Sequence, residues 1–239
     1  MVMLITRAQE DSELVALALD SMGIESLISP VITIVRTGLT IPLVSDFQAV
    51  VITSKHAVDV IRDVNPDRSP PIYCVGDRTA ELVASAGFLH VYSAAGNNED
   101  LSILLNSQLV PEAGKILYLC GKDTSGRLEN GLEKNGFEIE RKIAYEAKAK
   151  QSLNRAAADA FRDNRISGVF LFSPRSAIIL VELLKREELD RFVHKIDAYC
   201  LSDAVACEAQ RLDWNTVSVA ERPAQSELLA LVRQNLKIV

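Results

Sequence analysis

The sequence predicts an α/β fold: two similar small domains, each a parallel sheet flanked by helices. Short apolar runs bounded by turn residues alternate with longer helical patterns along the chain, which is how parallel strands joined by helical crossovers read. The same order of elements comes round twice, at a period too long for a solenoid, so a small domain is duplicated rather than stacked in an array. With 239 residues the chain is long enough to give both copies a core.

The first expected strand is Met3–Thr6, and the helix that follows, Ser12–Met22, stops at Gly23, the usual residue just past a helix end. A strand at Glu25–Ser29 completes this unit. Apolar runs then place strands at Ala49–Thr53, Ile72–Val75 and His90–Ser93, with helices expected at Lys55–Asp63, Asp77–Ala86 and Glu99–Leu109. The stretch from Lys115 to Ile143 repeats the first unit: strand Lys115–Leu119, helix Gly126–Asn135 stopped by Gly136, and strand Glu138–Ile143. Strands Gly168–Phe172, Ala198–Leu201 and Thr216–Val219 follow, among helices Leu153–Asp163, Pro174–Leu184, Asp203–Leu212 and Pro223–Asn235. Val51-Ile52-Thr53-Ser54-Lys55 has its counterpart in Phe170-Leu171-Phe172-Ser173-Pro174. Ile72-Tyr73-Cys74-Val75-Gly76-Asp77-Arg78-Thr79-Ala80 matches Ala198-Tyr199-Cys200-Leu201-Ser202-Asp203-Ala204-Val205-Ala206, with Phe88 and Trp214 at the same offset. Taken alone, the repeat suggests a cut near residue 112.

Composition narrows the function. A formal charge of −6 and an aromatic content of 5% argue against nucleic acid as partner, which needs clustered cations and stacking platforms. An anionic small molecule stays compatible, because a local basic lining can sit within an acidic exterior. No apolar stretch approaches the roughly 20 residues of a membrane span, and the opening residues lack the basic region and cleavage site of a secretory signal. The expected setting is therefore cytoplasmic, with no membrane partner and, for an acidic surface, a monomer. Cys74, Cys120, Cys200 and Cys207 lie in apolar runs with no metal-like spacing to His56, His90 or His194; they are expected to be free, buried thiols, and no metal site is expected.

Ligands of parallel α/β sheets bind beyond the carboxyl ends of the strands, where loops and helix N-termini meet. Here those positions are polar each time: Thr6-Arg7, Thr53-Ser54-Lys55, Gly76-Asp77-Arg78-Thr79, Gly121-Lys122-Asp123 and Ser173-Pro174-Arg175-Ser176. Each offers hydroxyls, a cation and backbone N–H groups to an anion. Singly, Ser54, Thr79 and Ser173 also read as caps of the helices that follow; as a recurring set they read as a binding surface. Gly121-Lys122-Asp123-Thr124-Ser125-Gly126-Arg127-Leu128 misses a phosphate loop because Arg-Leu stands where Lys-Ser/Thr is required. With no dinucleotide fingerprint, nucleophile elbow or zinc motif, no cofactor is expected, and any catalysis must come from positioning and hydrogen bonding.

In order and spacing, Val51-Ile52-Thr53-Ser54, Val75-Gly76-x-x-Thr79-Ala80, Leu119-Cys120-Gly121 with Arg127-Leu128 and Leu132-x-x-x-Gly136, Ile143-Ala144-Tyr145, Phe170-Leu171-Phe172-Ser173 and Pro223-x-x-Ser226-x-x-Leu229 resemble the uroporphyrinogen-III synthases over nearly the whole chain. The resemblance implies two domains joined by two extended linkers, the chain crossing over and returning: residues 1–35 with 149–239 in one, 38–144 in the other, linkers at about 36–37 and 145–148. It places Tyr145 in the second linker, beside the interdomain cleft. It implies a cofactor-free enzyme that dehydrates hydroxymethylbilane, a polycarboxylate, to an azafulvene and closes it through a spiro intermediate with ring D inverted. Tyr145 is then the candidate donor to the departing hydroxyl. Thr53, Ser54, Thr79 and Ser173 match substrate-side positions, and Arg7, Lys55, Lys122, Arg127 and Arg175 are candidate carboxylate partners, although Arg127 can instead pair with Glu129 or Glu133 on its own helix. A transient hand-over from the preceding pathway enzyme is a further implied partnership.

Two departures from the family pattern stand out. Val205 replaces the second Gly-x-x-Thr-Ala threonine with Asp203 nearby, and Ala144-Tyr145-Glu146-Ala147 differs on both sides of the tyrosine. A noncatalytic tetrapyrrole-binding or regulatory paralogue, and a two-domain binder of another anionic metabolite, are the competing readings.

Overall fold

The computed structural model describes residues 2–38, 40–64, 66–124 and 126–236. Ser125 of the polar loop after Gly121, the tail from Lys237 to Val239, and Met1, Leu39 and Asn65 lie outside the described residues. The chain divides into two compact units, Met1–Thr33 with Lys148–Val239, and Ile34–Ala147. Neither division falls near residue 112.

The chain opens with β1 (Val2–Ile5), α1 (Gln9–Asp20), β2 (Glu25–Ile28) and β3 (Ile32–Arg36). It continues through β4 (Ala49–Ile52), α2 (Lys55–Val64), β5 (Ile72–Cys74), α3 (Asp77–Ser85), β6 (Val91–Ser93), α4 (Asn98–Gln108), β7 (Ile116–Gly121), α5 (Arg127–Lys134) and β8 (Ile139–Ala149). The return is α6 (Arg155–Arg162), β9 (Ile166–Leu171), α7 (Pro174–Arg186), β10 (Asp197–Cys200), α8 (Asp203–Ala209), β11 (Thr216–Val219) and α9 (Gln225–Leu236).

The first unit holds a sheet in the order β11-β10-β9-β1-β2, all of its pairs parallel. The second holds β3-β8-β7-β4-β5-β6, with the pairs from β8 to β6 parallel. Overlaid by sequence repeat, β9, β10 and β11 correspond to β4, β5 and β6, and β1 and β2 to β7 and β8. The two orders then coincide over five strands, with β3 an additional edge strand of the second sheet, so the duplication legible in the sequence is also a duplication of topology.

Strand alternation sends successive residues to opposite faces, and each sheet accordingly has a core on both sides. Val2 and Leu4 join α6, α7 and α8 around Phe161, Leu180 and Trp214. Met3 and Ile5 face α1 and α9 through Val15, Leu19, Leu228 and Val232. In the second unit Val50, Ile52, Leu117 and Leu119 meet α2 and α3 at Ile61 and Val83. Ala49, Val51, Ile116, Tyr118 and Cys120 meet α4 and α5 at Leu101, Leu105, Leu128 and Leu132. Each fully buried Leu, Ile or Phe in these layers contributes roughly 1.5–3 kcal/mol. Phe88 and Trp214, paired by the repeat, are both buried, and the Trp214 indole N–H donates to the Ala209 carbonyl at 2.8 Å.

Three local expectations are corrected. Ile32–Arg36, a β-branched run assigned to no element from sequence, is the strand β3. The strand expected to stop at Ile143 runs on to Ala149, so Tyr145 and the rest of the expected 145–148 linker lie in the extended backbone of β8. The charged residues of this strand are held in pairs: Glu140 with Lys142 at 2.9 Å, and Arg141 with Glu129 at 3.4 Å. Finally, Cys74, Cys120 and Cys200 are buried free thiols, whereas Cys207 is exposed, because α8 packs through Val205, Ala206 and Ala209 and turns that position outward.

Candidate functional site

In the first unit the chain leaves β1 toward β2 on one side and β9 toward β10 on the other. In the second it leaves β7 toward β8 and β4 toward β5. Such reversals open a crevice at the carboxyl ends of the two central strands, the place where doubly wound sheets bind ligands. At one reversal stand Thr6-Arg7 and Phe172-Ser173; at the other, Gly121-Lys122 and Thr53-Ser54.

Tyr145 dominates the second unit's crevice. The register of β7 and β8 slips between Cys120, opposite Ile143, and Gly121, opposite Tyr145, leaving Ala144 as an extra residue. A slip of this kind re-aims the side chains beyond it: Ala144 and the Tyr145 ring both pack on the α2 side of the sheet. The ring lies against the Cα of Gly121 and edge-on to His56, 5.3 Å between ring centres. Its phenol is hydrogen-bonded with the Ser54 hydroxyl. Burial pushes the phenol above its ordinary pKa, and the Ser54 hydrogen bond draws it partly back. At neutral pH the group is a protonated donor. The Lys122 amide donates to the Tyr145 carbonyl at 2.9 Å, tying the two strand ends together.

Thr53 and Ser54 are adjacent yet serve different neighbours. Alternation turns Thr53 to the other face, where its hydroxyl is 3.2 Å from the Tyr118 hydroxyl; burial pushes that phenol up to about 12. Ser54 also receives the His56 amide in the first turn of α2, at a long 3.4 Å. Lys122 pairs with Glu146 at 2.9 Å, a contact that is half exposed and easily exchanged. Arg127 opens α5 behind the left-handed Gly126, and among the described residues it forms no ion pair with Glu129 or Glu133; Glu129 instead engages Arg141. Thr79 is buried at the third position of α3, whose cap is Gly76, so it is not an N-cap residue, and among the described residues its hydroxyl has no hydrogen-bond partner. Lys55 begins α2 beside Ser54.

In the first unit Thr6 is fully buried and its hydroxyl donates to the Phe170 carbonyl at 3.0 Å. The Arg7 guanidinium lies 4.4 Å over the Phe172 ring and 3.5 Å from both Asp11 and Gln225. Ser173 is the N-cap of α7, its Oγ accepting from the Ser176 amide at 3.1 Å, and Arg175 is exposed in the same turn. Val205, at the position equivalent to Thr79, is 1% exposed and part of the core; in this copy the site is used for packing.

Sequence reasoning gave three of the participants no part in the site and read the fourth, Gly121, only within a polar strand-end loop. His56 faces the Tyr145 ring, Tyr118 holds Thr53, Gly121 underlies the ring and Arg141 grips the loop beyond it. Gly121 alone carried a signal, as the glycine closing the Leu119-Cys120-Gly121 run. Among the described residues no group of three His, Cys, Asp or Glu could hold a metal ion, and no helix is long and apolar enough to cross a membrane.

Two doubly wound units with hydroxyls and cations at both strand reversals define a duplicated α/β protein. The family model described as Uroporphyrinogen-III synthase HemD matches residues 12–230, and the chain belongs to that family. Among solved structures, the uroporphyrinogen-III synthetase of Helicobacter pylori 26695 is similar over 89% of this chain and 93% of its own, at 18% identity and a TM-score of 0.62. A mutant uroporphyrinogen III synthase from the extremely thermophilic bacterium Thermus thermophilus is similar over 99% and 100%, at 15% identity and a TM-score of 0.54. At such identities these likenesses speak for the fold. No curated protein sequence matches the chain.

Proposed function

We propose that this chain is a working uroporphyrinogen-III synthase: a cofactor-free, cyclising hydro-lyase that converts hydroxymethylbilane to the ring with pyrrole D inverted. The observation that carries this reading is the Tyr145 phenol, kept protonated by burial and aimed by the β8 register slip across the β7–β4 reversal. Tyr145 gives its proton to the departing hydroxyl, which leaves as water. The cation so formed is attacked by ring D through its substituted carbon; the spiro intermediate breaks and recloses. The proton lost as the last pyrrole regains aromaticity restores the phenol. Because the substrate closes unaided to the uninverted isomer, the protein's contribution is orientation.

Thr53, Ser54, Thr79 and Ser173 are the proposed hydroxyl contacts of the substrate, and Arg7, Lys55, Lys122, Arg127 and Arg175 the proposed carboxylate partners. Lys122 already holds a carboxylate, that of Glu146, which a substrate side chain would replace. Thr79, nearly buried with an unused hydroxyl among the described residues, suits a neutral contact. The working lobes are taken as 1–35 with 149–239 and 38–144, in a cytoplasmic monomer that receives its labile substrate by transient hand-over.

A coupled assay that generates hydroxymethylbilane in situ and separates the product isomers tests this reading. Isomer III is the expected product. Isomer I alone refutes it, and tight binding with isomer I alone identifies a noncatalytic paralogue.

A further inference from the structure

The sheet order β8-β7-β4 sets a geometric problem for Tyr145. Its backbone belongs to β8, but the partner of its phenol, Ser54, follows β4, on the far side of β7. The ring must pass over the end of β7, and the residue beneath it there is Gly121. A Cβ at this position would lie 2.8 Å from Cζ, 2.9 Å from Cε2 and 3.0 Å from the hydroxyl oxygen of Tyr145. Carbon atoms do not pack so closely, so any other residue at 121 displaces either the ring or the strand.

The opposite face of the same backbone is clamped. The Arg141 guanidinium donates to the carbonyls of Gly121 and Lys122 at 3.3 and 3.1 Å, to Thr124 Oγ1 at 3.1 Å and to Cys120 Sγ at 3.1 Å, and Glu129 lies at 3.4 Å. One planar fork thus holds the two carbonyls at the end of β7 and just beyond it, where the chain turns toward α5. We propose that Gly121 is a positioning residue: its missing side chain is the passage through which the Tyr145 phenol reaches Ser54, and Arg141 holds that passage in place. The proposal rests on the reading of Tyr145 as the proton donor and adds what sets the donor's position.

The test uses the full-length chain labelled with ¹³Cζ-tyrosine, the Tyr145 signal being assigned by its loss in Tyr145→Phe. Gly121→Ala is expected to shift that signal and to lower its alkaline titration toward that of an ordinary phenol, with the other tyrosines unchanged. Its kcat should fall by about 100-fold, the cost of roughly an ångström of misplacement, with KM within about twofold. The Gly121→Ala/Tyr145→Phe double variant should be no slower than Tyr145→Phe, because both changes remove one interaction. Arg141→Met, which leaves space at 121 untouched, should move the same signal in the same direction even where Gly121→Ala fails to fold. An unmoved Tyr145 signal and titration in a folded Gly121→Ala or Arg141→Met variant overturns the proposal, as do kcat losses that multiply in the double variant. Full turnover in Tyr145→Phe overturns the donor reading and the catalytic half of this proposal, while the NMR signal decides the placement separately.

Discussion

Replacing Tyr145 with phenylalanine removes one oxygen and leaves the ring where it is, lodged over Gly121 and edge-on to His56 at 5.3 Å. The structural loss is the hydrogen bond with Ser54, worth about 1 kcal/mol net. Against a typical stability of roughly 5–15 kcal/mol, that leaves the variant folded. The chemical loss is larger. A positioned general acid contributes about 10²–10⁴ in rate, or roughly 3–5 kcal/mol of barrier. The two effects therefore separate: Tm should fall by a few degrees while isomer III formation falls at least about 100-fold, with KM little changed. Stopped time courses of the coupled reaction, with isomers separated and the uncatalysed isomer I subtracted, measure the second quantity, and a thermal melt the first. Turnover within about twofold of the parent, in a folded variant, refutes Tyr145 as donor.

The alkaline limb of the rate should lie above the ordinary phenol range, because burial raises the Tyr145 pKa and activity is lost as pH climbs through it; Ser54→Ala removes the hydrogen bond that lowers this pKa and should move the limb higher still. A limb that moves down in Ser54→Ala contradicts that assignment. Ser173→Ala removes the cap of α7 and should cost about 1 kcal/mol in denaturant unfolding, whereas Ser173→Asn should keep the stability and isolate any effect on KM as substrate contact. Gly168→Ala should cost about 1–3 kcal/mol, since its Cβ would meet Met3 Cε at 2.7 Å and the Tyr199 ring at 2.9 Å, and it should leave kcat and KM alone; unchanged stability would show that the layer can give.

The fold was legible where periodicity is loud. Uninterrupted apolar strands such as Ala49–Ile52, and the glycines after α1 and α5, read directly as buried parallel strands and helix ends. It was not legible in β8 past Ile143, where Tyr145, Glu146 and Lys148 interrupt any apolar run and hide the strand's continuation to Ala149. The site divided the same way. Hydroxyls and cations at strand ends show in sequence because the chain order places them there. The reach of Tyr145 across a neighbouring strand does not show, since it depends on sheet order and on a one-residue slip at Ala144. Nor does sequence separate Thr53, turned to Tyr118, from Ser54, turned to Tyr145; only the pleat does. Ser173 illustrates the reverse case: the bland expectation of a helix cap is what its hydroxyl does.

The most direct trial of the account is the isomer ratio formed by the desalted, chelator-treated protein from hydroxymethylbilane made in situ. Orientation by side chains and backbone alone predicts that isomer III displaces isomer I as protein is added, to the same extent with and without chelator. A product that stays isomer I at every protein concentration would contradict it.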